Sequence, residues 1–218
     1  RIPEINLNHF KKLTTSFGMI QFSIINQPDL ESGYTIDDNA RALVAMCQHF
    51  ELTNDAADLP YITQYFNFIK FCLQPDGYFL NYVDTDKKFT KQNSENLSDA
   101  NGRAIWALGY LISIGDLLPS DLKEKAVSLM QKALINATEI HSTRAMAFII
   151  KGVYYSNLKN NTVQNISLIK HLANKLVQMY KHESKANWLW YESYLTYANS
   201  ILPEAMLCAY LATGEHSY

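Results

Sequence analysis

Five carboxylates sit where they could do chemistry. Asp37 and Asp38 are adjacent, Asp99 lies in a related string, and Glu192 and Glu204 belong to a stretch rich in aromatics. Hydrolysing a glycoside takes two carboxyl groups across the scissile bond. One protonates the leaving oxygen, and the other activates water or attacks. Neighbouring acids repel, which can hold one of them protonated. Asp37 and Asp38, with Glu192 and Glu204, therefore form the candidate catalytic set.

Residues 28–39 bring Asp29, Glu31 and Tyr34 ahead of the acids. Residues 187–204 bring Trp188, Trp190, Tyr191, Tyr194, Tyr197 and Asn199. Aromatic faces stack on the apolar face of a pyranose, and acids and amides bind its hydroxyls. The candidate binding set is Tyr34, Asn39, Arg41, Asp99, Asn101, Arg103, His141, Trp188, Trp190, Tyr191 and Asn199. His141, just ahead of an apolar helix, is the one candidate for histidine acid–base work. Each residue type also has a plain structural use. Aspartates cap helix starts, arginines tie loops through carboxylates, and aromatics and histidines pack in cores.

The elements that must position these groups are helices of two kinds. Segments 61–73, 121–135 and 166–180 are amphipathic; in the last, Ile166, Ile169, Leu172, Ala173, Leu176 and Val177 form one stripe. Segments 40–50, 102–114, 144–155 and 203–213 are apolar nearly all round, which predicts burial on all sides. Alternation of the two predicts an inner layer of buried helices and an outer layer of amphipathic ones. The string Asp37-Asp38-Asn39-Ala40-Arg41-Ala42 returns as Asp99-Ala100-Asn101-Gly102-Arg103-Ala104, 62 residues later. A weaker copy is Ser142-Thr143-Arg144-Ala145, and Asn199 opens the fourth apolar helix. Repeats of this kind read as stacked hairpins. Strand signals are sparse. Asp76-Gly77 predicts at most a short hairpin within 74–97.

The expected class is all-α: one domain over residues 1–218, an (α/α) toroid of antiparallel helical hairpins with a polar cup at the N-termini of the inner helices. Four buried helices make an incomplete barrel. The start at Arg1 and the stop at Tyr218 suggest a truncated piece, completed by missing sequence or a partner chain. The composition is 48% hydrophobic and 18% charged, with net charge −2. That excludes the basic footprint of a nucleic-acid binder, and no apolar run is long enough to span a membrane. Cys47, Cys72 and Cys208 lie in apolar helical stretches without pair spacing, so they read as buried thiols of a cytoplasmic protein. Histidine spacing shows no metal motif, and no phosphate-cradling or nucleophile-elbow string occurs, so neither metal nor cofactor is expected.

The string GYTIDDNARA, its echo SDANGRA and the segment WLWYES with LPEA resemble the six-hairpin (α/α) glycosidase-like superfamily. They are similar, more closely, to uncharacterised bacterial toroid proteins associated with glycosyltransferases. The resemblance runs from Phe17 onward. It implies a carbohydrate ligand at the inner-helix N-termini, where Asp37, Asp38, Asp99, Glu192 and Glu204 fall. Two functions follow as expectations: a glycoside hydrolase-like enzyme using paired carboxylates, or a non-catalytic sugar-binding or scaffolding domain accessory to a glycosyltransferase. Class II terpene cyclases offer a weaker likeness, because Thr35-Ile36-Asp37-Asp38 lacks the first Asp of their acid motif. The site reading places Asp37 or Asp38, with Glu192 or Glu204, in one pocket beside Tyr34 and Trp190.

Overall fold

A computed structural model describes residues 4–218. Its helices are α1 (Asn8–Lys12), α2 (Ile36–Thr53), α3 (Leu59–Cys72), α4 (Ser98–Ser113), α5 (Ser120–Ala133), α6 (Thr143–Asn157), α7 (Val163–Glu183) and α8 (Ile201–Thr213). Three antiparallel strands, β1 (Ile20–Ile24), β2 (Gln27–Thr35) and β3 (Tyr82–Val83), form a sheet in the order β1-β2-β3. Helix accounts for 61% and strand for 11%, so the class is α+β. This corrects the expected all-α toroid.

The sheet escaped the sequence reading for physical reasons. Ile20, Phe22 and Ile24 alternate with Gln21 and Ser23, which is a strand period over only five residues. Phe22 and Ile24 point to solvent, so the alternation marks no core. In β2 the register breaks. Phe22 pairs with Asp29 but Ile20 with Tyr34, so residues 30–33 bulge out of the ladder. Ser32 fills the gap: its hydroxyl accepts from the Phe22 amide at 3.1 Å and donates to the Asp29 carbonyl at 2.6 Å. Gly33 takes φ +68 there, with its Cα against the Val83 carbonyl of β3, a place with no room for a side chain. Pro28, Gly33 and the carboxylates are residue types depleted in strands, so β2 carries no strand signal of its own.

The helices lie in two layers. Helices α2, α4, α6 and α8 pack side by side in that order, while α3, α5 and α7 each fold back on the helix before them. Burial follows the hydrophobic pattern. Helix α4 buries 12 of its 16 residues and α7 only 4 of 21. Helix α8 is the exception among the inner four, since Leu207 and Leu211 remain exposed.

Helices α4 and α6 approach each other most closely. A Cβ on Gly109 would collide with the backbone of Gly152, and one on Gly152 would come within 2.5 Å of the Ile105 carbonyl oxygen. Gly102 meets Ala145 in the same seam, where an added Cβ would lie 2.9 Å from Ala145 Cα. Small residues let the two backbones touch and fix their register.

Gly109→Ala is therefore expected to strain this contact by about 3 kcal/mol, or roughly 6–12 °C in Tm for a chain of this size. A thermal melt followed by circular dichroism measures it. A Tm within about 2 °C of wild type would show that the seam relaxes freely.

Candidate functional site

The repeated polar strings do meet, along the rim where the inner helices begin. At α2 the cap is Thr35, not an aspartate. Its hydroxyl accepts from the Asp38 amide at 3.1 Å and donates to Asp38 Oδ2 at 2.6 Å, a reciprocal capping pair. That leaves Asp37 and the outer oxygen of Asp38 for cations. Arg41 reaches Asp38 at 2.6 Å and Asp37 at 3.2 Å. Buried Arg103 of α4 donates from Nη1 to Asp37 Oδ1, tying the second helix to the first.

The chain of ties continues through α4 to α6. Asp99 caps nothing: α4 begins without a side-chain cap. Its Oδ1 accepts from Ser142 at 2.6 Å, and Ser142 itself caps α6 by accepting from the Ala145 amide. Its Oδ2 accepts the hydroxyl of Tyr197. Tyr197 belongs to the irregular strap, residues 184–200, that joins α7 to α8. Arg144, buried at the start of α6, holds that strap with three groups. Nη1 donates to Glu192 Oε1 at 2.8 Å, Nε to the Tyr197 carbonyl at 2.7 Å and Nη2 to Asn199 Oδ1 at 3.2 Å. Thr143 adds a 2.6 Å bond to the same Glu192 oxygen. The Tyr197 ring lies against both guanidiniums, 5.5 Å from Arg103 and 5.1 Å from Arg144.

Asn39 and Asn101, expected at the ligand, are backbone clamps instead. Asn39 accepts from the Met19 amide at 2.8 Å and donates to the Met19 and Thr35 carbonyls. Asn101 repeats this on the Phe79 amide at 2.7 Å and on the Phe79 and Leu97 carbonyls. Both are buried, with their bonding capacity spent inside the protein.

The remaining residues of the sequence reading disperse. Tyr34 is a core residue packed on Phe17 and Phe68. Trp188 pins the strap, donating to the Glu192 carbonyl at 2.6 Å. Trp190 packs on Tyr191, which lines a groove of about 580 Å³ with Val177, Tyr180, Met206 and Leu207, on α7 and α8. His141 lines another groove, with Lys175, Met179 and His182 of α7. Glu204 leaves the rim and pairs with Lys151 at 2.7 Å, a lysine whose Nζ sits 4.3 Å above the Trp106 ring. Of the expected pocket, Asp37, Asp38 and Glu192 share the rim's network of ties; Tyr34, Trp190 and Glu204 are engaged elsewhere.

The sequence reading missed Arg144, Thr143 and Tyr197 as the organising residues, and the Trp106–Lys151 pair. A signal existed. Arg103, Trp106 and Tyr110 follow i, i+3, i+7 spacing, as Arg144, Phe148, Lys151 and Tyr155 follow i, i+4, i+7, i+11. These polar and aromatic stripes interrupt helices that had read as apolar all round.

One acid of the rim carries a definite electrostatic bias. Burial pushes the Glu192 carboxyl up, but hydrogen bonds from Arg144 and Thr143 and the guanidinium charge outweigh it, leaving the group below its usual 4.5. It stays ionised, with Oε2 buried and unpartnered. A lowered folded-state value stabilises the fold above the unfolded value, and that contribution is lost as pH falls through the lowered one. The stability gap between wild type and Glu192→Gln should thus be constant above about pH 5 and close progressively below the usual 4.5. Urea melts across pH measure it. A gap unchanged down to about pH 2.5 would mean that Glu192 gains nothing from Arg144.

No protein-family model matches the chain, and no curated protein matches it.

Proposed function

We propose that the chain is a carbohydrate-binding protein acting at the rim of its inner helices, without hydrolysing the ligand. Glu192 carries the reading. It is an ionised carboxylate, fixed by Arg144 and Thr143 through Oε1 and left with Oε2 unpartnered. A ligand hydroxyl donating to that oxygen would satisfy it. The Arg144 guanidinium that holds it, with the Tyr197 ring against that guanidinium, supplies the kinds of group that recognise polyols.

Binding is favoured over hydrolysis by how the acids are used. A general acid must stay protonated near neutrality, which takes a raised pKa. Glu192 is shifted the other way. Asp37, Asp38 and Asp99 are bonded to arginines or hydroxyls, and Glu204 is held on Lys151. An accessory role beside a glycosyltransferase fits such a module. No helix among the described residues is long and apolar enough to cross a membrane. Three buried thiols support a cytoplasmic setting.

The test is a panel of neutral oligosaccharides (gluco-, manno- and chito-hexaoses) titrated calorimetrically, with reducing ends assayed in the same samples. At least one member should bind and none should be cleaved. Glu192→Gln should weaken binding about tenfold, the loss of one hydrogen bond to a charged group. Reducing ends released by wild type and abolished by Glu192→Gln would replace this reading with the hydrolase.

A further inference from the structure

We infer that residues 193–198 of the strap form a lid over the rim, latched by Tyr197, and that a sugar ring entering the site takes the place of the tyrosine side chain. This rests on the carbohydrate reading for its ligand, but not for its latch.

The strap is fixed unevenly. Its first part is tied down. Lys185 and Trp188 bond each other through their backbones, Ser184 donates to the Trp190 carbonyl, and Trp190 and Tyr191 pack on the core. From Ser193 to Ala198 every residue is exposed, with Tyr194 at 63% and Leu195 at 59%. Among the described residues three hydrogen bonds from the body of the protein reach this outer stretch: the Tyr197 hydroxyl on Asp99, the Arg144 Nε on the Tyr197 carbonyl and, at its very end, the Ile201 amide on the Ala198 carbonyl at 3.2 Å; within the strap, the backbone of Thr196 is bonded by the Asn199 side chain. The stretch ends at Ala198, a non-glycine residue at φ +48. That left-handed backbone costs energy unless the surroundings impose it. At its far end Asn199 is gripped by Arg144, so the hinge stands beside a fixed point.

What lies under the lid is unusual for a mere loop contact. Arg103 and Arg144 are 7% and 5% exposed, and Glu192 keeps a buried oxygen without a partner. Tyr197 presents to them a flat ring across two guanidiniums and a hydroxyl donated to a carboxylate. A pyranose offers the same two features, a broad ring and hydroxyl donors, so the tyrosine stands where such a ring would bind. Opening exchanges the phenol for the ligand and frees the strained Ala198 to relax. Loops that gate sites in this way have low local stability and hinge at a few residues.

Tyr197→Phe removes the latch hydroxyl and keeps the ring. Hydrogen–deuterium exchange of amides 194–200 should speed at least about tenfold, the loss of one charge-assisted bond, while α4 and α6 stay protected. Chymotrypsin should cut after Tyr194 or Leu195 faster than in wild type, a second measure that needs no ligand. The hexaose that wild type binds should bind Tyr197→Phe more tightly, and in wild type it should speed chymotrypsin cleavage after Tyr194 or Leu195, because it displaces the latch. Exchange and cleavage equal to wild type would overturn the lid. Faster exchange with no hexaose bound by either protein would leave the latch standing and overturn the sugar as its ligand, and the proposed function with it.

Discussion

The contact on which the rest depends is the one between α4 and α6. Gly109 and Gly152 let these helices touch backbone to backbone. Close contact leaves no freedom in their relative register, so the first turns of the two helices stand side by side. Arg144 occupies the first turn of α6, and Arg103 the second turn of α4. Two buried guanidiniums next to each other repel, and a buried cation without a partner costs several kcal/mol. The rim answers with anions from outside the pair: Asp37 from α2 on one flank, Glu192 from the strap on the other, and the Tyr197 ring against both. Helix packing in the middle of the molecule thus dictates the charge pattern at its edge.

The same string of residues serves the fold twice, and its variation has a physical reason. In the first two copies a tight turn, at Thr14–Met19 or Leu73–Phe79, feeds an extended segment past the start of an inner helix. The asparagine of each string grips the backbone of that segment at Met19 or Phe79. Ahead of α6 the connection is a 3-10 helix, Leu134–Glu139, with no strand beside it. No backbone needs clamping there, and the equivalent position holds Ser142, which caps α6 and donates to Asp99. The arginine two places on persists in all three copies; Arg103 and Arg144 reach to neighbouring elements, while Arg41 pairs with Asp37 and Asp38 within α2.

Much of the helical framework was legible in the sequence. Periodicity marked the seven long helices and separated the deeply buried from the one-sided, since burial of a helix follows directly from how wide its apolar face is. The strands were not legible. β1 turns its alternating apolar side to solvent, and a bulge scrambles β2. The site was legible in part. That Asp37, Asp38, Asp99 and Arg103 converge follows from parallel inner helices opening on one edge. Which way each side chain turns does not follow from position alone. Tyr34 faces the core on α3, His141 faces α7, and Glu204, one turn into α8, faces Lys151. Nor does composition reveal that a capping threonine, rather than either aspartate, closes α2.

Four carboxylates and three guanidiniums along one edge could serve stability alone. Exposed ion pairs contribute little, and a buried pair is often no better than an apolar one. Buried side-chain atoms without a partner are few among the described residues, Asp58 Oδ1 beside His49 being one away from this edge. On the edge itself it is Glu192: both its anchoring bonds converge on Oε1, and Oε2 is buried without a partner among the described residues. Orienting a carboxylate through one oxygen while sparing the other is what a binding site requires, because the anchored oxygen sets the direction in which the free one points. The ionised state that Arg144 and Thr143 enforce suits accepting hydroxyl protons in hydrogen bonds and opposes donating one to a leaving group. The charge state of the rim is thus better matched to accepting hydrogen bonds than to supplying a proton, and the Tyr197 hydroxyl, spent on Asp99, leaves Glu192 Oε2 open to a further donor.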